Sequence, residues 1–457
     1  MASHRSQTGA LEAALAHALA WLDGLDERRV DAIVSVDTIR RRLDHGLGDK
    51  GLPPEQVIAD LVRDVEGGIM GSAGGRFFGW VIGGSLPSAL AADWLTSTRD
   101  QNAALYACGP AAAMVEEVAG AWLKDLLGLP ESASFALVTG CQMAHVTCLA
   151  AARHSLLSRL GWDVERNGLC GAPPIRILAG GVHGSIARAV RLLGLGTDRI
   201  VPFEPDGLER VLQADATEPA IVVLQAGDIN TGAYDSFTSL IPTAHRYGAW
   251  VHVDGAFGLW AAVSNRFRHL LDGVDAADSW ATDGHKWLNV PYDCGYAFVA
   301  DAPAHRASMS HRANYLTHAT EARDQMDWNP EWSRRGRGFP TYAALRELGR
   351  SGLASLVDRC SDHARTLTME IGRLPGAEIL AEPIVNQSLV RFYDDDRRTD
   401  QTIQAVAVTG EAFFSATTWR GKRAMRISVC NWRTSARDVQ RAVQAVEGVL
   451  REEAPCP

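Results

Sequence analysis

The sequence predicts an α/β protein, a mostly parallel sheet covered by helices on both faces, followed by a smaller α+β domain. Three observations lead there. From about residue 71, short apolar runs alternate with helical stretches: FALVTG (135–140), IRILAG (175–180), AIVVLQAG (220–227), AWVHVDGAFG (249–258), SWATDG (279–284) and GYAFVA (295–300). Several of these runs close on Gly, Asp or Thr, which places polar groups at the carboxyl edges of strands, where open α/β sheets bind ligands. Beyond about residue 340 a long helical stretch leads into SLVRFY (388–393) and AMRISVCNW (424–432), the pattern of a separate α+β unit.

Ahead of the sheet, Leu11, Leu15, Ala18, Leu19 and Leu22 recur at helical spacing and stop at Asp23-Gly24. Pro53-Pro54 then opens a helix with Val57, Ile58, Leu61, Val62 and Val65 on one face. Residues 1–70 therefore form a helical segment whose stripes need a partner surface, on this chain or on a second subunit. Residues 71–340 form the large α/β domain and residues 341–457 the small one.

The 457 residues are 46% hydrophobic and 22% charged, ordinary for a folded globular chain of more than one domain. The net charge of −9 is spread without an acidic tail or basic block, which argues against nucleic acid or an anionic membrane as partner and for a small molecule. The eight cysteines are scattered, with no CxxC pair to suggest zinc, and fit free thiols in a reducing compartment. Glu12 and His17 interrupt the first apolar stretch as they would not in a signal peptide, and no apolar run reaches the ~18 residues of a membrane span. The expectation is a cytoplasmic protein.

Two charged side chains stand at strand ends in apolar surroundings. Lysine is rarely buried unless it is paired or chemically employed, yet Lys286 lies in ATDGHKWLNVPYDCG (281–295), directly before Trp287, Leu288, Val290 and Pro291. Asp254 lies in WVHVDGAFG. Their interval, 286 − 254 = 32 residues, is about one strand–helix–strand unit, so a parallel sheet brings both to the same edge. That pair suits an aldehyde cofactor. Pyridoxal phosphate needs a lysine amine for its Schiff base and a carboxylate against its ring nitrogen, to keep the ring protonated and electron-accepting. Taken singly, a strand-ending Asp caps a helix or makes a turn, and a lone Lys is solvated. Their joint occurrence carries the chemistry.

The stretch from VHVDGAFG through ATDGHKWLNVPYDCG closely resembles the group II pyridoxal-phosphate-dependent amino-acid decarboxylases, the family of aromatic amino-acid, histidine and glutamate decarboxylases. Further matches are FFGWVIGG (77–84), DQNAALYACGPAA (100–112), VTGCQMAH (138–145), VHGSIARAVRLLGLG (182–196), AGDINTGAYD (226–235), RRGRG (334–338) and RISVCNWRT (426–434). They follow the family's order and cover the chain from about residue 57 to its end. The resemblance implies the aspartate aminotransferase fold of type I, with a mostly parallel seven-stranded sheet, in a homodimer with its active site at the subunit interface. It also implies decarboxylation of an L-amino acid, with aromatic substrates suggested by Phe77, Phe78 and Trp80. Lys286 resembles the Schiff-base lysine and Asp254 the partner of the pyridine nitrogen. His183 is similar to the imidazole that stacks on the cofactor ring near the substrate carboxylate, although a histidine at such a junction otherwise caps a helix. Ala256 would lie against the opposite ring face. Gly140, Cys141 and Gln142 match the phosphate loop at a helix N-terminus, with Ser279 and His285 as further candidates; Thr231 and Asn230 are candidates for the ring hydroxyl.

The pattern departs from the family in two places. Family decarboxylases carry a loop tyrosine that protonates the α-carbon after carbon dioxide leaves, and a gapless count back from Arg334-Arg335 puts that position near Gln325-Met326. Tyr315 lies about ten residues earlier; otherwise His183 is a possible donor. The alternatives that follow are carbon–carbon lyase, aldehyde-forming oxidative deamination or transaminase chemistry, and a catalytically silent cofactor-binding chain. In the phosphate loop, Cys141, Gln142 and Met143 replace smaller or hydroxylic residues, and no activating base is evident for Cys141. Arg334, Arg335 and Arg337 fit either a solvated surface or the dimer interface, and Arg426 either a substrate carboxylate or a structural salt bridge.

Overall fold

The computed structural model describes residues 7–311 and 322–452. Seven strands form the large sheet: β1 (Ser134–Val138), β2 (Arg176–Ala179), β3 (Ile200–Pro202), β4 (Ala220–Gln225), β5 (Trp250–Asp254), β6 (Ser279–Asp283) and β7 (Gly295–Val299). Their spatial order is β1-β7-β6-β5-β4-β2-β3. β2 through β6 run parallel, whereas β7 is antiparallel to both β6 and β1, so GYAFVA is the exception in an otherwise parallel set.

The near-continuous apolar runs follow from burial on two sides. Ala136, Val138, Ile177, Ile221, Val223, Ala281 and Val299 face one apolar cluster, which includes Leu149, Ala152 and Leu156 of the helix Cys141–Arg159. Leu137, Leu178, Val222, Val253, Trp280 and Phe298 face the other. Alternation along each strand thus serves two cores rather than one core and water.

The small sheet is antiparallel, ordered β10-β11-β9-β8, from β8 (Ala377–Ile384), β9 (Gln387–Phe392), β10 (Ser415–Trp419) and β11 (Lys422–Ser428). One long helix, Gly338–Gly372, packs first on the helices Pro87–Arg99 and Pro110–Leu126 of the large unit and then on β8. It breaks at Gly349, whose φ of +58° is costly for residues with a side chain. Residue 340 falls in its first turn, so the break in geometry comes at Gly349.

The N-terminal helices Gln7–Asp23 and Pro54–Val65 pack on each other, yet Leu11, Leu15, Leu19, Val57 and Leu61 remain exposed. Among the described residues no helix is long and apolar enough to cross a membrane.

Candidate active site

Adjoining strands bring the predicted pair together. β5 and β6 are hydrogen-bonded neighbours with Asp254 opposite Ala281, and the chain leaves β6 at Asp283 through the turn that carries His285 and Lys286. The Lys286 amine is 3.4 Å from the Asp283 carboxylate and 5.7 Å above the Phe257 ring. The segment 77–84 lies across this turn. The Gly83 N–H donates to the His285 carbonyl at 3.0 Å, and a Cβ on Gly83 would run into the Lys286 carbonyl, so only glycine lets the two backbones approach so closely.

Asp254 is buried. Burial alone would raise its pKa; His145, His183 and Lys286 overcome that and hold it below the usual carboxylate range. The Ala256 N–H donates to its Oδ1 at 3.2 Å, and His145 Nε2 is 3.6 Å from the same oxygen.

His183 fills the capping role that its position suggests. It is the N-cap of the helix Gly184–Leu192, with Nδ1 accepting from the Ser185 N–H at 3.2 Å. Its ring reaches the surface at the mouth of the site. The protein packed around it, together with Lys286 and Arg426, lowers its pKa, while Asp254 acts in the opposite sense.

The helix Cys141–Arg159 starts beside Lys286. Gly140, its N-cap, adopts φ 144° and ψ 173°, and a Cβ there would come to 3.7 Å from Asp283 and 3.8 Å from His285. The Cys141 N–H donates to Asp283 Oδ1 at 2.6 Å. Gln142 Nε2 and His285 Nδ1 are buried without a hydrogen-bond partner among the described residues. Orphaned donors around a glycine-opened helix N-terminus suit a phosphate. With the lysine and the ionised aspartate close by, these residues fit pyridoxal phosphate.

Three candidates are placed elsewhere. Ser279 begins β6 rather than ending it, and its buried hydroxyl contacts Trp250 Nε1 and His252 Nδ1, both at 2.9 Å, so it does not reach the phosphate loop. The Thr231 hydroxyl donates to Asp228 Oδ1 at 2.9 Å and shapes the turn after β4, while Asn230 holds Thr417. Position 325–326 is no presenting loop either. Gln325 and Met326 are fully buried, with the Met326 N–H bonded to the Ala104 carbonyl at 3.0 Å. Tyr315 lies outside the described residues.

The arginine run is not solvated as a unit. Arg334 is buried and pairs with buried Glu116 at 2.7 Å, Arg337 pairs with Asp293, and Arg335 with Asp93. Arg426, also buried, makes no ion pair or side-chain hydrogen bond among the described residues. Phe77 and Phe78 are core; Phe77 stacks on Phe413 at 4.7 Å, and Trp80 alone of the three is exposed.

Sequence reasoning missed His145, His252, Asp283 and Asp228. His252-x-Asp254 puts two polar side chains on one face of β5, which was the available signal. Cys141, His145 and Asp254 bring a sulfur, a nitrogen and an oxygen within 4.8 Å of one another. Burial pushes the Cys141 thiol well up, which favours its protonated form over metal ligation.

A lysine and an ionised carboxylate on adjoining strand ends, beside an open helix N-terminus, define the class: a pyridoxal-phosphate enzyme on an α/β scaffold. The model of the pyridoxal-dependent decarboxylase conserved domain matches residues 37–393. The chain belongs to that family of amino-acid carboxy-lyases, and its cofactor is pyridoxal 5′-phosphate. It is 24% identical over 454 residues to an aromatic-L-amino-acid decarboxylase of Bacillus atrophaeus, covering 94% of this chain and 92% of that one. A 4-hydroxyphenylacetaldehyde synthase of Rhodiola rosea is 28% identical over 65% of this chain and 64% of its own length. An acidic amino acid decarboxylase of Homo sapiens is 26% identical over 76% and 69% respectively. The fold matches that of Oryza sativa TDC, solved with pyridoxal phosphate and tryptamine, with a TM-score of 0.90, 23% identity and 97% of both chains covered.

Proposed function

We propose that this chain is a homodimeric decarboxylase of an L-amino acid, with Lys286 as the cofactor lysine, Asp254 as the ring-nitrogen partner and His183 against the ring. The observation that carries it is the buried, ionised Asp254 one strand away from the Lys286 turn. When bound, the cofactor supplies an electron sink for the bond broken at the α-carbon. The chain's residues supply the rest. Asp254 holds a proton at the ring nitrogen; Asp283, 3.4 Å from the Lys286 amine, is placed to take the proton that this amine must lose to react. Gly140, Gln142 and His285 would hold its phosphate, and His183 would face the substrate carboxylate. The exposed leucines of the N-terminal helices support the dimer, because an apolar stripe of that size calls for a covering surface.

Substrate selection rests on Arg426. A buried guanidinium without a partner among the described residues is costly, and its charge acts on His183. This favours a substrate whose carboxylate pairs with Arg426. The aromatic preference rests on Trp80 alone, since Phe77 and Phe78 are packed in the core. Carbon dioxide release from a panel of acidic and aromatic L-amino acids tests both points. Turnover of acidic substrates, reduced at least about tenfold in Arg426→Met, supports the assignment; turnover of aromatic substrates alone, unaffected by that change, refutes it.

A second reading, aldehyde formation, is supported by the similarity to the 4-hydroxyphenylacetaldehyde synthase of Rhodiola rosea. Ammonia and hydrogen peroxide accompanying carbon dioxide would identify it.

A further inference from the structure

Behind Asp254 runs a line of buried polar groups. His145 Nδ1 is 2.9 Å from His252 Nε2, and His252 Nδ1 is 2.9 Å from the Ser279 hydroxyl. Trp250 Nε1 is 2.9 Å from the same hydroxyl. His145, His252 and Ser279 are fully buried. At its other end, His145 Nε2 is 3.6 Å from Asp254 Oδ1 and 3.4 Å from the Cys141 sulfur.

The protons in this line can be assigned. Burial holds both imidazoles neutral, His252 down to about 3, so each ring carries one N–H. An indole N–H only donates, so Trp250 takes one lone pair of Ser279, and the Ser279 O–H is then free to donate to His252 Nδ1. In that arrangement His252 carries its proton on Nε2 and donates it to His145 Nδ1. His145 in turn carries its proton on Nε2, directed at Asp254. The reverse arrangement, with Cys141 donating to a bare His145 Nε2, would set a lone pair 3.6 Å from a carboxylate anion. The charge on Asp254 decides between the two.

We infer that His145, oriented by His252 and Ser279, is a positioning residue that points its Nε2–H at Asp254, 3.6 Å away, and so keeps the carboxylate ionised and aimed at the cofactor's ring nitrogen. The inference rests on the reading of Asp254 as the ring-nitrogen partner.

The test uses the full chain reconstituted with pyridoxal phosphate carrying ¹⁵N in the ring, whose NMR shift reports whether that nitrogen is protonated. Wild type is expected at the pyridinium position and Asp254→Asn at the neutral position. His145→Phe should move toward neutral and weaken cofactor binding about tenfold, the loss of an N–H dipole directed at the buried carboxylate, whereas His145→Gln, which keeps an N–H donor, should stay near wild type. His252→Leu should shift in the same direction as His145→Phe, and His252→Gln should restore the signal. The His252 pair decides the matter even if His145→Phe does not fold. If Asp254→Asn moves the resonance but neither His145→Phe nor His252→Leu does, the relay is refuted and the cofactor assignment stands. If Asp254→Asn leaves the resonance unchanged, the Asp254 assignment itself falls.

Discussion

Replacing Gly140 by alanine tests where the cofactor's phosphate is held. With φ 144° and ψ 173°, Gly140 occupies a region that only glycine enters readily, and forcing a side chain there costs about 1–3 kcal/mol. Space is not the obstacle, because the nearest atoms to a built Cβ are 3.7 and 3.8 Å away. The loop of the cofactor-free variant is therefore expected to relax to an ordinary conformation, and binding then has to restore the strained one. That cost converts to an affinity loss of about 5- to 150-fold. Titrating cofactor-free protein with pyridoxal phosphate, followed by absorbance, measures it. Gly128→Ala is the control. Gly128 also has a positive φ, with nothing within 4 Å of a built Cβ, and it lies just past the helix Pro110–Leu126. It should lower stability without changing cofactor affinity. Equal affinities for Gly140→Ala and wild type would show that this loop does not hold the phosphate.

Further outcomes follow from the same geometry. Lys286→Arg should give no borohydride-fixed cofactor adduct, and an adduct mapping to another lysine would displace Lys286 from its role. Glu116→Gln leaves buried Arg334 without its anion and should destabilise the chain by about 3–5 kcal/mol in urea unfolding; Glu116→Leu combined with Arg334→Met should recover most of that. His252 and His305 are both buried with pKa values near 3 rather than 6.5. Below pH 6.5 the unfolded chain takes up protons that these rings refuse, so stability should fall with acidity by about 1.4 kcal/mol per pH unit for each. His145, His183 and His285, also lowered, share that slope, so His305→Gln should remove about 1 kcal/mol of the stability difference between pH 7 and 5.5, as read from urea midpoints; an unchanged difference would reject the assignment.

What the sequence disclosed was whatever depends on order and period. The 32-residue interval between Asp254 and Lys286 needed only parallel strands and a crossover to become a neighbour relation. The glycine at the start of Cys141–Arg159 marked a helix entry for the same local reason. Ser279 failed because a strand run does not reveal which end faces the ligand, and Thr231 because its turn uses the hydroxyl internally. His145 was hidden in a helix interior, where a lone histidine carries no signal until β5 is laid beside it. Counting to the loop tyrosine failed for a different reason: a gapless count assumes constant loop length, and Gln325-Met326 proved to be packed beneath Ala104.

Residues 77–84 touch more of the molecule than their length suggests. Phe78 is bonded through its backbone to Phe413 and to Ser428 of the small sheet, and five residues later Gly83 grips the turn of Lys286. One short ribbon thus fastens the C-terminal unit to the reactive amine. Any hinge movement of that unit must travel along this ribbon, so the spacing between residues 78 and 83 acts as a gauge block for the position of Lys286.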